Sequence, residues 1–170
     1  GLLLSPLVFQ SQIDSINVLK PAAVSAVTSD DRSPFAFTNL DADELNARDA
    51  GQDLPFLLRL TPSVVITSDA GNGIGYTGMR IRGSDASRIN VTINGVPLND
   101  SESQNVYWVD LPDLGASVSG LQIQRGVGTS TVGAGAFGAS VAVNTLGAIV
   151  KPGVRAVLGM GSFNSSRESV

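Results

Sequence analysis

Short stretches of alternating apolar and polar residues dominate the chain. Ile89, Val91 and Ile93 alternate with Asn90 and Thr92, Leu121 and Ile123 alternate with Gln122 and Gln124, and Val141 and Val143 flank Ala142. A period of two gives a strand with one apolar face. Strands are expected over 35–38, 64–67, 79–82, 89–93, 121–124 and 141–143. A further one lies within 154–161, where Val154, Ala156, Leu158 and Met160 share a face. Helical signals are fewer and local. Asp41 followed by Glu44 has the form of a capping box ahead of a short helix through Arg48, stopped by Gly51. Asp53 with Pro55 in the first turn opens a second helix, whose apolar face is Leu54, Phe56, Leu57, Leu58 and Leu60 and which Pro62 ends. Residues 112–119 suit one more helical turn.

The connections are as informative as the elements. Residues 68–78 (SDAGNGIGYTG) are too rich in glycine to be anything but a shaped loop. Asn94-Gly95 is a strong hairpin signal, and Pro97 makes the returning strand short or places it at an edge. Residues 99–108 form a polar loop with an aromatic end, and 126–139 join two strands through Gly, Ala, Ser and Thr.

The ends read differently from the middle. Leu2, Leu3, Leu4, Leu7, Val8 and Phe9 form an apolar run far shorter than a membrane-spanning helix, and 1–12 resemble the back half of a secretory signal. Residues 13–33 hold too little apolar surface to fold alone and read first as a frayed terminus; the other reading, with Ile16 and Val18 on one side, is addition as a strand to another protein's sheet. The domain proper is expected over 34–150. From Lys151 a Lys-Pro-Gly turn leads to the 154–161 strand, a turn over 162–167 and a returning strand that starts at Glu168, so that the hairpin has one arm. The chain is expected to be a piece of a longer protein at both ends.

Composition narrows the function. A chain of 170 residues with 42% hydrophobic residues supports one domain with a real core, and 19 glycines with 8 prolines favour strands and tight turns. A net charge of −4, with no basic stripe, excludes nucleic acid as a partner. The absence of cysteine and histidine removes disulfides, thiol catalysis, the usual zinc sites and the commonest general base, which disfavours an enzyme. No Asp or Glu lies between Leu114 and Arg167, whereas Arg125, Lys151, Arg155 and Arg167 are cationic. The carboxylates that balance this half must come from upstream or from outside the chain.

Two motifs point to chemistry that their context denies. Residues 133–138 (GAGAFG) match G-x-G-x-x-G, but a dinucleotide fingerprint needs a helix opening at that turn and an acid about 20 residues on, and here a strand follows and the next acid is Glu168. Asp100 and Glu102 lack the spacing and the glycine of a calcium loop. No cofactor and no metal are expected.

Taken together, MRIRGSD, VTINGVPLND, LQIQRGVGTST and GAGAFGASVAVNT resemble, in order and spacing, the plug domain of TonB-dependent outer-membrane receptors, and LPFLLRLTPSVVITSDAGNGIGYTG resembles its preceding helix, strand and loop. The resemblance spans 35–145, with Ala139 where many members carry a second glycine. It implies an α+β fold: a small mixed β-sheet plug with short helices and glycine-rich loops, normally enclosed in an antiparallel barrel of about 22 strands that this chain lacks. It also implies a location in the outer membrane of a Gram-negative bacterium, import of a scarce small-molecule or glycan ligand such as siderophore-iron, haem or cobalamin, and the chain's own β-barrel as a partner. A second partner is TonB, with its inner-membrane energy-coupling complex. The matching TonB box is Asp14, Ser15, Ile16, Asn17, Val18 and Leu19, with Asn17 where a third apolar residue is common. Arg82 and Arg125, each before a glycine at a strand end, would face barrel carboxylates and lock the plug. The loops with Asp69, Asn72 and Tyr76 and with Asp100, Glu102, Gln104 and Tyr107 would face the ligand. The alternative is a soluble glycine-rich binding or nucleotide-dependent domain.

Overall fold

The computed structural model describes residues 35–127, 136–145, 156–162 and 166–169. Two apolar-faced sheets and two short helices enclose one core. The larger sheet has five strands in the order β1-β6-β7-β4-β5: β1 (Ala36–Asp41), β4 (Ile89–Ile93), β5 (Val96–Pro97), β6 (Val118–Arg125) and β7 (Ala139–Thr145). β4 and β7 are parallel and the other neighbours antiparallel, so the sheet is mixed as the resemblance implies. The second sheet is the hairpin of β2 (Val64–Ser68) and β3 (Thr77–Ile81).

One face of the larger sheet carries Leu40, Leu121, Ile123, Val141, Val143, Ile89 and Val91, all buried, and Met79, Ile81 and Trp108 complete the core with the helices. Alternation in β4 predicts that Asn90 and Thr92 point to water. They are instead buried, at 8% and 7% exposure, as are Gln122, Gln124 and Ser140 on the same face. That face is polar in rows that cross the strands: Phe37, Gln124, Ser140 and Asn90 stand opposite one another in turn, as do Asn39, Gln122, Ala142 and Thr92. Gln122 Nε2 donates to Asn39 Oδ1 at 2.7 Å. A buried side-chain amide such as that of Gln122 persists where it finds a hydrogen-bond partner.

The helices form where capping predicts. α1 (Ala42–Arg48) starts at Asp41, whose side chain accepts from Glu44 N at 2.8 Å, and buries Leu45. α2 (Leu54–Leu57) follows Asp53 with Pro55 in its first turn. It ends sooner than expected, and Leu60 is 69% exposed rather than part of the apolar face, while Pro55 is buried. Pro62 disfavours a helical Thr61, and the chain leaves α2 through turns in which Arg59 N donates to Phe56 O and Thr61 N to Leu58 O. Those turns deliver Ser63, at φ 66, to the start of β2. Residues 112–119 contain the expected turn, as a 3₁₀ segment at Leu114–Ser117.

Asn94 and Gly95 (φ 50 and 84) form the two-residue hairpin turn between β4 and β5. The last expectation needs correction. The returning strand does not begin at Glu168 after a turn that holds Arg167; β8 (Val157–Met160) pairs with β9 (Ser166–Ser169) over four residues, and Arg167 lies inside β9 opposite Gly159. Leu158 and Met160 project outward, 82% and 97% exposed.

Candidate functional site

Three separated sequence segments converge at the C-terminal end of β6. Gly126, at φ 95, donates its N–H to Gly138 O at 2.8 Å, and Gly138 N donates to Arg88 O at 2.9 Å. Gly138 packs directly on Ser84, leaving no room for a Cβ at 138. Ala136, Phe137 and Gly138 run straight into β7, so no helix opens where a dinucleotide would need one; residues 133–135 lie outside the described residues. The two expected lock residues meet here. Arg82, at φ 52, sits past the end of β3 with its N–H bonded to Ser63 O at 2.9 Å, and its Nη1 lies beside Gly126, 3.3 Å from where a Cβ would stand.

The two arginines are nevertheless held differently. Arg125 donates from Nη1 to Pro62 O at 3.3 Å and from Nη2 to Phe37 O at 3.2 Å, tying the end of β6 to β1 and to the turn before β2. Arg82 is exposed. Among the described residues neither arginine has an ion pair. Phe137 and Val127, 70% and 67% exposed, flank them. The arrangement is a cationic, partly apolar end.

The expected ligand-facing residues fall in two loops. In the β2–β3 loop Ser68 Oγ accepts from Gly71 N and Gly73 N at 3.1 and 3.2 Å, and Asn72 Oδ1 accepts from Ile74 N at 3.0 Å. Gln52 Nε2 holds Asn72 O at 2.8 Å, and Thr77 Oγ1 donates to the buried Asp53 at 2.8 Å. Asn72 thus shapes the loop, while Asp69 and Tyr76 project from it. In the second loop Asp100 Oδ1 accepts from Ser103 N at 2.7 Å, Ser103 Oγ at 2.9 Å and Glu102 N at 3.0 Å. The backbone N–H and hydroxyl of Ser103, helped by Glu102 N, hold the Asp100 carboxyl below the usual carboxylate range against a small opposing effect of burial. Gln104 takes φ 59 and bonds back to Ser101 O at 3.0 Å. Tyr107 donates its hydroxyl to Ser103 Oγ at 3.2 Å. Asp100 and Gln104 therefore build this loop, and Glu102 and Tyr107 are exposed on it. The 3₁₀ turn Trp108–Asp110, which closes the second loop, packs against β3, the strand that leaves the first.

One cluster was not read from the sequence. Arg167 of β9 donates from Nη2 to Asp49 Oδ2 at 3.0 Å and to Asp113 Oδ1 at 2.5 Å. Burial lowers the affinity of its guanidinium for the proton, but the hydrogen bond and charge of Asp49 and the charge and hydrogen bond of Asp113 outweigh that and raise its pKa above the ordinary arginine value. The signal available was the run without Asp or Glu from 114 to 167, which required carboxylates from upstream or from outside the chain. Among the described residues no group of His, Cys, Asp and Glu is placed to hold a metal ion, and no helix is long and apolar enough to cross a membrane. The expected TonB box over 14–19 lies outside the described residues.

The chain matches the family described as TonB-dependent receptor plug domain over residues 29–140, more than half its length. No curated protein sequence matches it. Among solved structures it resembles P. aeruginosa FpvA bound to heterologous pyoverdines, with 19% identity, a TM-score of 0.60 and coverage of 81% of this chain and 17% of that one. The ferric yersiniabactin uptake receptor FyuA from Yersinia pestis is similar at 19% identity and a TM-score of 0.55, covering 79% of this chain and 20% of that one. The copper transporter OprC is similar at 17% identity and a TM-score of 0.56, with 83% and 22% covered. The chain thus spans about a fifth of the length of these receptors.

Proposed function

Because the chain belongs to the TonB-dependent receptor plug domain family, we propose that it is the plug of an outer-membrane receptor that imports a scarce ligand under energy supplied through TonB. The observation that carries this reading is the family match over 29–140, which takes in the helices, the β2–β3 hairpin, both loops and four of the five strands of the mixed sheet, and reaches the start of the fifth, β7. The family is one of transport receptors rather than enzymes.

In this reading the domain boundaries are those expected from the sequence, with the TonB box within 13–33, the plug over 34–150 and the first barrel strands from 151. β8 and β9 then open the barrel, and the outward Leu158 and Met160 suit a lipid-facing side. The box (14–19) adds itself to a strand of TonB, which pulls on it with force derived from the inner-membrane proton gradient. Arg82, exposed and without an ion pair among the described residues, supplies the cation that meets a barrel carboxylate. Arg125 stiffens the same corner from within. Inside a closed interface, withdrawing one partner of such a pair leaves the other charge uncompensated, which is costly. Asp69, Asn72 and Tyr76 with Asp100, Glu102, Gln104 and Tyr107 form the plug's share of the ligand site.

The cargo is of the siderophore-iron, haem, cobalamin or glycan type. The solved structures that the chain resembles include siderophore receptors and a copper transporter, so iron chelates and copper complexes head the panel to be tested. The experiment is uptake by cells carrying the full receptor, with and without residues 14–19, across that panel. The expected result is a ligand whose uptake, but not whose surface binding, is lost with the box. Uptake that survives the deletion overturns the proposed coupling.

A further inference from the structure

Residues 49–53, between α1 and α2, are gripped from two sides. On one side Asp49 Oδ2 and Asp113 Oδ1 share Arg167 Nη2 at 3.0 and 2.5 Å, and Asp49 Oδ1 accepts from Gly51 N at 2.9 Å. Gly51, at φ 80, leaves the space that the Arg167 side chain fills, since a Cβ there would stand 2.7 Å from Arg167 Cδ. On the other side Gln52 Nε2 bonds Asn72 O, Asp53 N bonds Gly73 O and Asp53 Oδ2 accepts from Thr77 Oγ1, each at 2.8 Å. Five residues therefore connect the β2–β3 loop to the β8–β9 hairpin. Within the ion cluster the side chains of Arg167 and Asp49 are shielded, 20% and 9% exposed, while that of Asp113 is 42% exposed. The cluster joins segments 118 and 54 residues apart in the chain. It also lies at the other end of β6 from Arg125, because Asp113 precedes the start of that strand and Arg125 ends it.

We propose that Arg167, Asp49 and Asp113 form a second lock between plug and barrel, distinct from the Arg82 and Arg125 end, and that the 49–53 connector makes it sensitive to the position of the β2–β3 loop. The proposal rests on reading β8 and β9 as the first barrel strands. Its physical basis is the shared guanidinium: two carboxylates on one shielded cation are stable together, and withdrawal of the cation leaves like charges facing each other. A shift of the β2–β3 loop moves Gln52 and Asp53, and through them the Asp49 carboxylate, by way of bonds between adjacent residues rather than a long chain of contacts.

The test uses the full receptor in detergent or bilayer, with amide hydrogen exchange read over 49–53 and 166–169 and ion conductance read in parallel. Arg167→Gln and, separately, Asp113→Asn should speed exchange in both segments by about tenfold or more while leaving 82–88 unchanged. Thr77→Val, which cuts only the loop side, should speed exchange in 166–169 by a smaller factor. Unchanged exchange in 166–169 for all three variants of a receptor that remains closed to ions overturns the lock and leaves the plug reading standing. A rise spread evenly over 82–88 as well overturns it too, since that is general loosening. A wild-type receptor that conducts as freely as one lacking residues 34–145 overturns the plug reading and the lock together.

Discussion

Asn99 extends the pairing of Val91 past the end of β5. Its Oδ1 accepts from Val91 N at 2.8 Å, and its Nδ2 donates to Ile89 O at 2.9 Å and Gln104 O at 2.8 Å. β5 pairs with β4 at Thr92 and Ile93 and Leu98 N still donates to Val91 O at 2.9 Å, so the side-chain amide takes up the next groups of the ladder, Val91 N and Ile89 O. Asn99→Asp keeps the acceptor and loses both donations, placing a carboxylate against two carbonyls. We expect it to destabilise the chain by about 1–3 kcal/mol, seen as a lower denaturant midpoint at constant slope. A change below about 0.5 kcal/mol would show that water replaces the amide without cost.

Gly138 and Ser84 meet so closely that position 138 admits no side chain. Gly138→Ala should cost about 1–3 kcal/mol through overpacking. Ser84→Gly removes the atoms in the way, so the double variant should recover part of the loss, with Arg88 O, 3.3 Å from the added Cβ, limiting the recovery. Strict additivity in the double-mutant cycle would mean that the backbone shifts instead.

The two arginines at that end should separate in their effects. Arg125→Gln loses two charge-assisted bonds to main-chain carbonyls and should lower stability by about 1.5–3 kcal/mol. Arg82→Gln, at an exposed position, should stay within about 0.5 kcal/mol in the chain alone and show its effect only as increased leakage through the full receptor. Equal destabilisation by both would remove the division of labour.

Asp100 sets the acid limit of its loop. Its folded pKa is lowered from 3.8 by Ser103 and Glu102, so the stabilisation is fully present above the unfolded value and is lost as pH falls through the lowered one. Amide resonances of Glu102 and Ser103 should titrate together below the ordinary carboxylate range and lose that dependence in Asp100→Asn. Titration at or above the ordinary value would show that the loop does not hold the carboxylate.

What the sequence made legible was local. The cap at Asp41, the strand Ile89–Ile93 and the Asn94-Gly95 turn depend on neighbours a few residues away, and each forms where expected. Motif order likewise identified the segments of Arg82, Arg125 and Gly138, which the fold brings to one corner. The rest was set by partners far along the chain. Asn90 and Thr92 look solvent-facing but are buried on the sheet's polar face, and Leu60 looks like core until the turns after α2 carry it outward. Arg125 reaches carbonyls 63 and 88 residues away. Charge counting showed that the C-terminal half needed carboxylates from upstream or from outside the chain; only the packing of β9 selects Asp49 and Asp113 for Arg167.

The most direct measurement is single-channel conductance of the full receptor in a planar bilayer, with and without residues 34–145. If this chain is the plug, the intact receptor should stay closed and the deleted form should conduct steadily through a wide pore. Equal conductance from the two forms would contradict the account.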